Sequence, residues 1–434
     1  MYTIAAAQGC LIQKLSFGIV YTIMFNLARA QVFLVMILCS LRPRGVVEAK
    51  GLSPMFVFGD SYLDTGNRDN LSRPWNPPYG MTWPDRPAGR YSDGHSLTDV
   101  VAKAIGSSSP IPYRVCNEEI YRSEIVKYGV NFAVGGSGAF QGLINTTNLR
   151  GQVDNLVSLL EAHSIELPPP QRTLALLCIG GNDYTQFFKA NGSRKVALFL
   201  LPRRKIMYID VSGFIDRLRL LGLHMYVGIS TEMTNVDLPY QDLPDLTRRI
   251  VGGITENLKR LHDLGVRKFA VFNLGPLGCI PKHTAINSYK YCISALNIFS
   301  EHHNRVFVQE VHATLSALED TDFIILDQYR AFLLVINQAR LFGFKHRLKP
   351  CCQIKPGRIT ECGLRDENGE PLYEVCSDPE NYFFWDGEHL TQAGWIALVA
   401  IIIENQNFNQ QNPIQFGGPA DHLALNRPNI ASAL

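Results

Sequence analysis

The chain has 434 residues and a formal net charge of +2, from 41 Lys+Arg against 39 Asp+Glu. With 46% hydrophobic and 18% charged residues, it is too apolar and too weakly charged to remain disordered. The near-zero balance, without a basic run, supplies no electrostatic footprint for nucleic acid. Ten cysteines in this length are too sparse for a small disulfide scaffold.

The first fifty residues read differently from the rest. Arg29 precedes the apolar run VFLVMILCSL at 32–41, and small residues follow around Val47 and Ala49. A basic start, a short apolar stretch and a small-residue exit make a secretory signal peptide. The apolar run, ten residues long, is too short to cross a bilayer as a helix, so no stable membrane span is expected. A second apolar segment at 15–27 lies further upstream than such signals begin. Reading from Met24 restores the usual proportions, which makes residues 1–23 an N-terminal extension. An uncleaved anchor spanning both apolar stretches is the competing reading.

Beyond Ala49 eight cysteines remain: Cys116, Cys178, Cys279, Cys292, Cys351, Cys352, Cys362 and Cys376. None is spaced C-x-x-C, so zinc-ribbon and thioredoxin readings lack support. In a secreted chain, Cys279 with Cys292 and the cluster from Cys351 to Cys376 read as disulfides stapling surface loops, with the pairing inside the cluster open. Cys178 lies in an apolar run and reads as a buried free thiol. Sequons at Asn70, Asn145 and Asn191 fit a secreted or lumenal protein, each weakly.

Strand candidates are the apolar runs 55–58, 130–134, 174–179, 269–274 and 323–327. Their continuous rather than alternating apolarity suits strands buried on both faces. Between the third and fourth, Ile250, Ile254, Leu258 and Leu261 repeat at helical spacing, with Gly265 as a stop. Leu296, Phe299, Val306 and Val311 mark another helix before the fifth. Strand and helix in alternation predict a parallel sheet covered by helices, and no linker divides it. Residues 194–237 interrupt this repeat. So long a connection is functional or foreign to the fold: a lid over a site, or, as the favoured reading, a translated intron.

The strand ends carry the chemistry. Ser61 follows the first strand in FGDSYLDTGN, Gly136 follows the second in NFAVGGSG, and Asn182 follows the third in CIGGND. FWDGEHLT places Asp386 three residues before His389. Ligands of open α/β sheets bind beyond the carboxyl ends of strands, at a switch point. A strand order starting 2-1-3 would gather the first three blocks, with Asp386 and His389 arriving from the last loop. A serine hydroxyl needs a base to take its proton, which histidine supplies, and an acid beside that histidine holds its tautomer. The Ser61 and Gly136 N–H groups and the Asn182 amide can donate to an oxyanion. Taken singly, each block has a commoner explanation: a helix cap, a turn, a solvated loop. Together and in this order they are specific.

With these blocks, and with GRYSDGHSLTD, LGVRKFAVFNLGPLGCIP and LKPCC, the chain resembles the plant GDSL esterase/lipase family of the SGNH hydrolase superfamily over about residues 53–398. The resemblance implies a three-layer α/β/α sandwich with a flavodoxin-like, five-stranded parallel sheet. It implies hydrolysis of carboxylic esters without metal or organic cofactor, and a plant source. Carried over by position, it makes Ser61 nucleophile and oxyanion donor, Gly136 and Asn182 the other donors, His389 the base and Asp386 the third member of the triad. Leu390 departs from the proline many members carry after the histidine, which bears on loop stiffness rather than chemistry. The expected organisation is a leader over 1–49, a hydrolase domain over 50–405 with 194–237 as an anomalous insert, and a tail over 406–434.

Adjacent His302 and His303 cannot share a helix face as metal ligands and read as a solvated or half-buried pair. GGSGAFQG lacks the spacing and the G-K-[ST] ending of a phosphate loop. Asp64 and Asn67 read as braces of the Ser61 turn. Trp75, Tyr79 and Trp83 lie among prolines in a surface loop, as packing or as a substrate wall. The expected function is a secreted, monomeric esterase acting on small-molecule, lipid or acylated-polysaccharide esters. A catalytically weak binding or defence protein on the same scaffold is the alternative. Acyl-chain length and alcohol depend on cleft shape, which loops set.

Overall fold

The computed structural model describes residues 54–140, 146–162, 166–190, 197–198, 207–208, 243–355 and 361–407. The expected leader, the sequons at Asn145 and Asn191 and the expected tail beyond 407 lie outside the described residues. So does nearly all of 194–237, where only the backbone of a short antiparallel ribbon, Ala197–Leu198 with Met207–Tyr208, is described. The described residues fall in one compact unit, 52–434.

In chain order, β1 (Met55–Gly59), β2 (Ile111–Pro112), β3 (Gly129–Asn131), β4 (Leu174–Cys178), β5 (Lys268–Phe272) and β6 (Asp322–Leu326) form one parallel sheet, arranged β2-β3-β1-β4-β5-β6. Among the five predicted strands the order begins 2-1-3, as the strand-end blocks required. The expectation of five strands needs correction. The sixth, β2, is two residues long and contains Pro112, which lacks the N–H of a central strand and so occupies an edge. Too short and too broken to show a pattern, it left no trace in the apolar runs. The 130–134 run keeps pairing past the end of β3, with Phe132 and Val134 donating to the carbonyls of Val57 and Gly59 at 2.7 and 3.1 Å.

β1 is buried at every position, and its side chains divide between two cores. Met55 and Val57 join a cluster with α1 (Leu97–Ala104), α7 (Gln328–Asn337) and α8 (Gln392–Asn407). Phe56 and Phe58 join another with α3 (Leu149–Ala162), α4 (Gly181–Ala190), α5 (Leu243–Asp263) and α6 (Ser294–Ser316). The short α2 (Arg122–Tyr128) leads into β3. Helices therefore cover both faces of the sheet, giving the three-layer α/β/α sandwich. Ile250, Ile254, Leu258 and Leu261 bury the stripe of α5. In α6, Leu296, Phe299 and Val311 are buried, while Val306 packs only partly. α8 shows no helical periodicity in sequence because it is apolar nearly all round. Trp395, Leu398, Ala400 and Ile401 are all buried, as in a helix enclosed by the core.

A smaller module follows the sheet. β7 (His346–Pro350) pairs with β10 (Tyr382–Phe384), and β8 (Cys352–Ile354) pairs with β9 (Tyr373–Val375). Disulfides join Cys279 to Cys292, Cys351 to Cys376 and Cys352 to Cys362, so the pairing left open in the cluster is nested. Cys178 is free and buried, as expected, and so is Cys116. Among the described residues no helix is long and apolar enough to cross a membrane.

Candidate active site

β1 ends at Gly59, where a Cβ would lie 2.3 Å from the Cys178 carbonyl oxygen. Only glycine lets the two strands stay paired there. The chain then turns sharply, with Leu63 and Asp64 donating back to the Asp60 carbonyl at 3.1 and 2.9 Å. Ser61 opens this turn, just beyond the carboxyl end of β1.

The loop between β10 and α8 meets it from the other end of the chain. His389 Nε2 lies 2.8 Å from Ser61 Oγ, and His389 Nδ1 lies 2.8 Å from each carboxylate oxygen of Asp386. Asp386 Oδ1 also accepts from the backbone N–H groups of Glu388 and His389, both at 2.8 Å. Oδ2 accepts from the Tyr79 hydroxyl at 2.7 Å. Burial alone would raise the Asp386 carboxyl. The charge and hydrogen bond of His389, the Arg73 guanidinium and the Glu388 N–H outweigh it and hold the group well below the usual carboxylate range. The imidazole is walled by the rings of Tyr91 at 4.8 Å and Tyr62 at 5.9 Å between centroids. Leu390, in place of the proline, is fully buried and bridges to Phe384.

The two glycine-rich blocks reach the same end of the sheet. Gly136 has φ 87°, a conformation that disfavours any side chain. Asn182 stands in the first turn of α4, and its Nδ2 donates one hydrogen to the Ser137 carbonyl at 2.9 Å, leaving the other available. The neighbouring Asp183 accepts from Ala139 N–H at 2.9 Å. Among the described residues, no protein acceptor takes the backbone N–H of Ser61 or of Gly136. Asp64 braces the assembly as expected. Its Oδ1 accepts from Gly66 and Asn67 at 2.8 and 2.7 Å, and its Oδ2 accepts from Gly135 at 2.7 Å. Asn67 Nδ2 donates to the carbonyls of Asn131 and Ala133.

Two expectations change. Tyr79 is not a surface residue: it is 1% exposed and bonded to Asp386, whereas Trp83 is exposed and stacks on His95 at 4.0 Å. His303 is not half-buried but enclosed, 0% exposed, with Nδ1 3.0 Å from the Tyr184 hydroxyl. Sequence reasoning did not find Arg73, Tyr62 or Tyr91, because each meets the site only through tertiary packing.

A cleft partly open to solvent has Ser61 and Asn182 on its wall. Leu274, Leu277, Ile280 and Phe332 contribute apolar lining, and Glu388 also lines it. Lys282 Nζ pairs with Glu388 at 3.0 Å. Asp60 also lines the cleft, and burial pushes its carboxyl up to about 7 against the pull of the Tyr62 N–H and of His389.

The family model described as GDSL-like Lipase/Acylhydrolase matches residues 55–209 and 223–402. Residues 210–222, between the two matched stretches, lie within the segment that interrupts the strand–helix repeat. The chain is 35% identical over 357 residues to GDSL esterase/lipase At5g03610 of Arabidopsis thaliana, covering 81% of this chain and 86% of the relative. It is 33% identical over 355 residues to GDSL esterase/lipase At3g09930 of the same plant, covering 80% and 86%. GDSL esterase/lipase 5, also from Arabidopsis thaliana, is 26% identical over 359 residues, covering 79% and 80%. With these matches running across the whole sandwich, the chain belongs to the GDSL-like lipase/acylhydrolase family, enzymes of carboxylic ester hydrolysis.

Proposed function

We propose that the protein is a secreted serine esterase that works through an acyl-enzyme, with Ser61, His389 and Asp386 as its triad. The observation that carries this reading is the continuous hydrogen-bond chain from Ser61 Oγ through His389 to Asp386, each link 2.8 Å. Ser61 Oγ attacks the ester carbonyl while His389 Nε2 takes its proton. The Ser61 and Gly136 N–H groups and the free amide hydrogen of Asn182 stabilise the tetrahedral oxyanion. His389 then protonates the departing alcohol, and a water activated by the same nitrogen releases the acid and restores Ser61. Asp386, ionised throughout by its low affinity for a proton, keeps the imidazole in the tautomer that presents Nε2 as acceptor.

The apolar lining of the cleft, Leu274, Leu277, Ile280 and Phe332 among it, suits the acyl portion of a small-molecule, lipid or acylated-polysaccharide ester. The leader over 1–49 would deliver one hydrolase domain, 50–405, to the secretory route. Replacing Ser61→Ala is expected to lower kcat on p-nitrophenyl acetate roughly 10⁴-fold or more and to abolish labelling by a fluorophosphonate probe. Undiminished turnover in that variant would refute the mechanism.

A further inference from the structure

Resting on the triad reading above, we propose that Tyr79 is a positioning residue of the hydrolysis, its hydroxyl holding the Asp386 carboxylate against His389. The two oxygens of Asp386 are restrained differently. Oδ1 is held by backbone N–H groups of its own loop, two and three residues on. Oδ2 has, besides the imidazole, one donor among the described residues: the Tyr79 hydroxyl at 2.7 Å, 307 residues away in the chain. Both side chains are 1% exposed, so no bulk water stands by to replace a lost donor.

Tyr79 is itself held from several sides. Its ring meets Tyr91 and Trp385 edge-on, at 6.3 and 6.0 Å between centroids. Its N–H bonds the Asn76 carbonyl at 3.2 Å. A Cβ on Gly363 would come within 3.1 Å of its ring. The disulfide-linked module grips both ends of the Tyr79–Asp386 bond. On the tyrosine side, Tyr373 donates to the Pro77 carbonyl at 2.8 Å, and Glu361, beside Cys362, pairs with Arg73 at 2.9 Å. On the aspartate side, Cys351 and Cys352 donate from their backbones to the carbonyls of Phe384 and Trp385, at 3.0 and 2.7 Å. Burial and the Asp386 charge push the Tyr79 hydroxyl well above its ordinary range. It therefore remains a donor wherever the enzyme works.

The test is a double-mutant cycle on p-nitrophenyl acetate hydrolysis, with Ser61→Ala alongside. Tyr79→Phe keeps the packed ring and removes one donor to a charged acceptor, so kcat should fall about 10- to 100-fold with KM unchanged. In an Asp386→Asn background the same change should cost nothing further, because Tyr79 acts through Asp386. A wild-type kcat in Tyr79→Phe while Ser61→Ala is inactive overturns the role of Tyr79 and leaves the triad reading standing. An undiminished effect in the Asp386→Asn background overturns it as well. Activity surviving Ser61→Ala overturns the triad reading itself and this inference with it.

Discussion

Asp64 offers a sharp test of how the Ser61 turn and the glycine loop are held together. It lies three residues after Ser61, is 0% exposed, and accepts from three backbone N–H groups, those of Gly66, Asn67 and Gly135. Asp64→Asn is nearly isosteric. Its amide oxygen can serve Gly66 and Asn67, but its NH₂ then faces the Gly135 N–H, setting two donors against each other in a buried place. One unsatisfied buried donor costs about 1–3 kcal/mol, and that is the expected loss of stability in urea unfolding followed by tryptophan fluorescence. The consequence for activity is separate. Gly135 precedes Gly136, so releasing it moves a proposed oxyanion donor; full loss of such a donor costs about 10²–10³ in kcat, which sets the upper limit for this variant. Initial rates on p-nitrophenyl acetate measure it. A variant with wild-type kcat and an unchanged urea midpoint would show that the carboxylate does not tether the two segments, and the reasoning would fall.

Two further outcomes are expected. Asn182→Ala should lower kcat about 10²–10³-fold with little change in KM, as steady-state kinetics on short p-nitrophenyl esters would register; an equal rise in KM at constant kcat would remove Asn182 from the oxyanion site. His303 is enclosed, its Nε2 has no partner among the described residues, and burial, with the charge of His302, lowers its pKa to about 3. The unfolded chain protonates this histidine near its ordinary value of about 6.5 while the native one stays neutral, so the unfolded state binds the extra proton. Stability from this group is therefore complete above that value and is lost as the pH falls. From pH 7 to pH 5 the loss should be about 2 kcal/mol, read as the extra decline of the wild type relative to His303→Gln in urea titrations; parallel declines would contradict it.

Much of the site was legible because its residues sit at strand ends. A buried parallel strand must be apolar at consecutive positions, so the runs at 55–58 and 174–179 are visible, and Ser61 and Asn182 follow them directly. Asp386 and His389 were legible for another reason, their spacing within one loop. Asp64 and Asn67 could be read as braces because a short polar side chain close after a sharp turn bonds local N–H groups. β2 and α8 were not legible, the one because a two-residue edge strand has no period, the other because a helix enclosed by the core has no polar face to contrast with its apolar one.

What the amino-acid order determined by itself is therefore the local chemistry: which runs are strands, which residues stand at their ends, and that a serine, a histidine and an aspartate stand in the loops there. Only the tertiary structure decided how these meet. Ser61 and His389 are 328 positions apart, and their 2.8 Å contact exists because parallel strands in this order deliver their carboxyl ends to one edge. The place of Tyr79 was decided in the same way. Among prolines in sequence it has the look of a surface aromatic, yet the packing of Trp385, Tyr91 and the disulfide-linked module turns it inward. No local pattern encodes that, since hydrogen bonds between distant segments are chosen by burial and not by spacing.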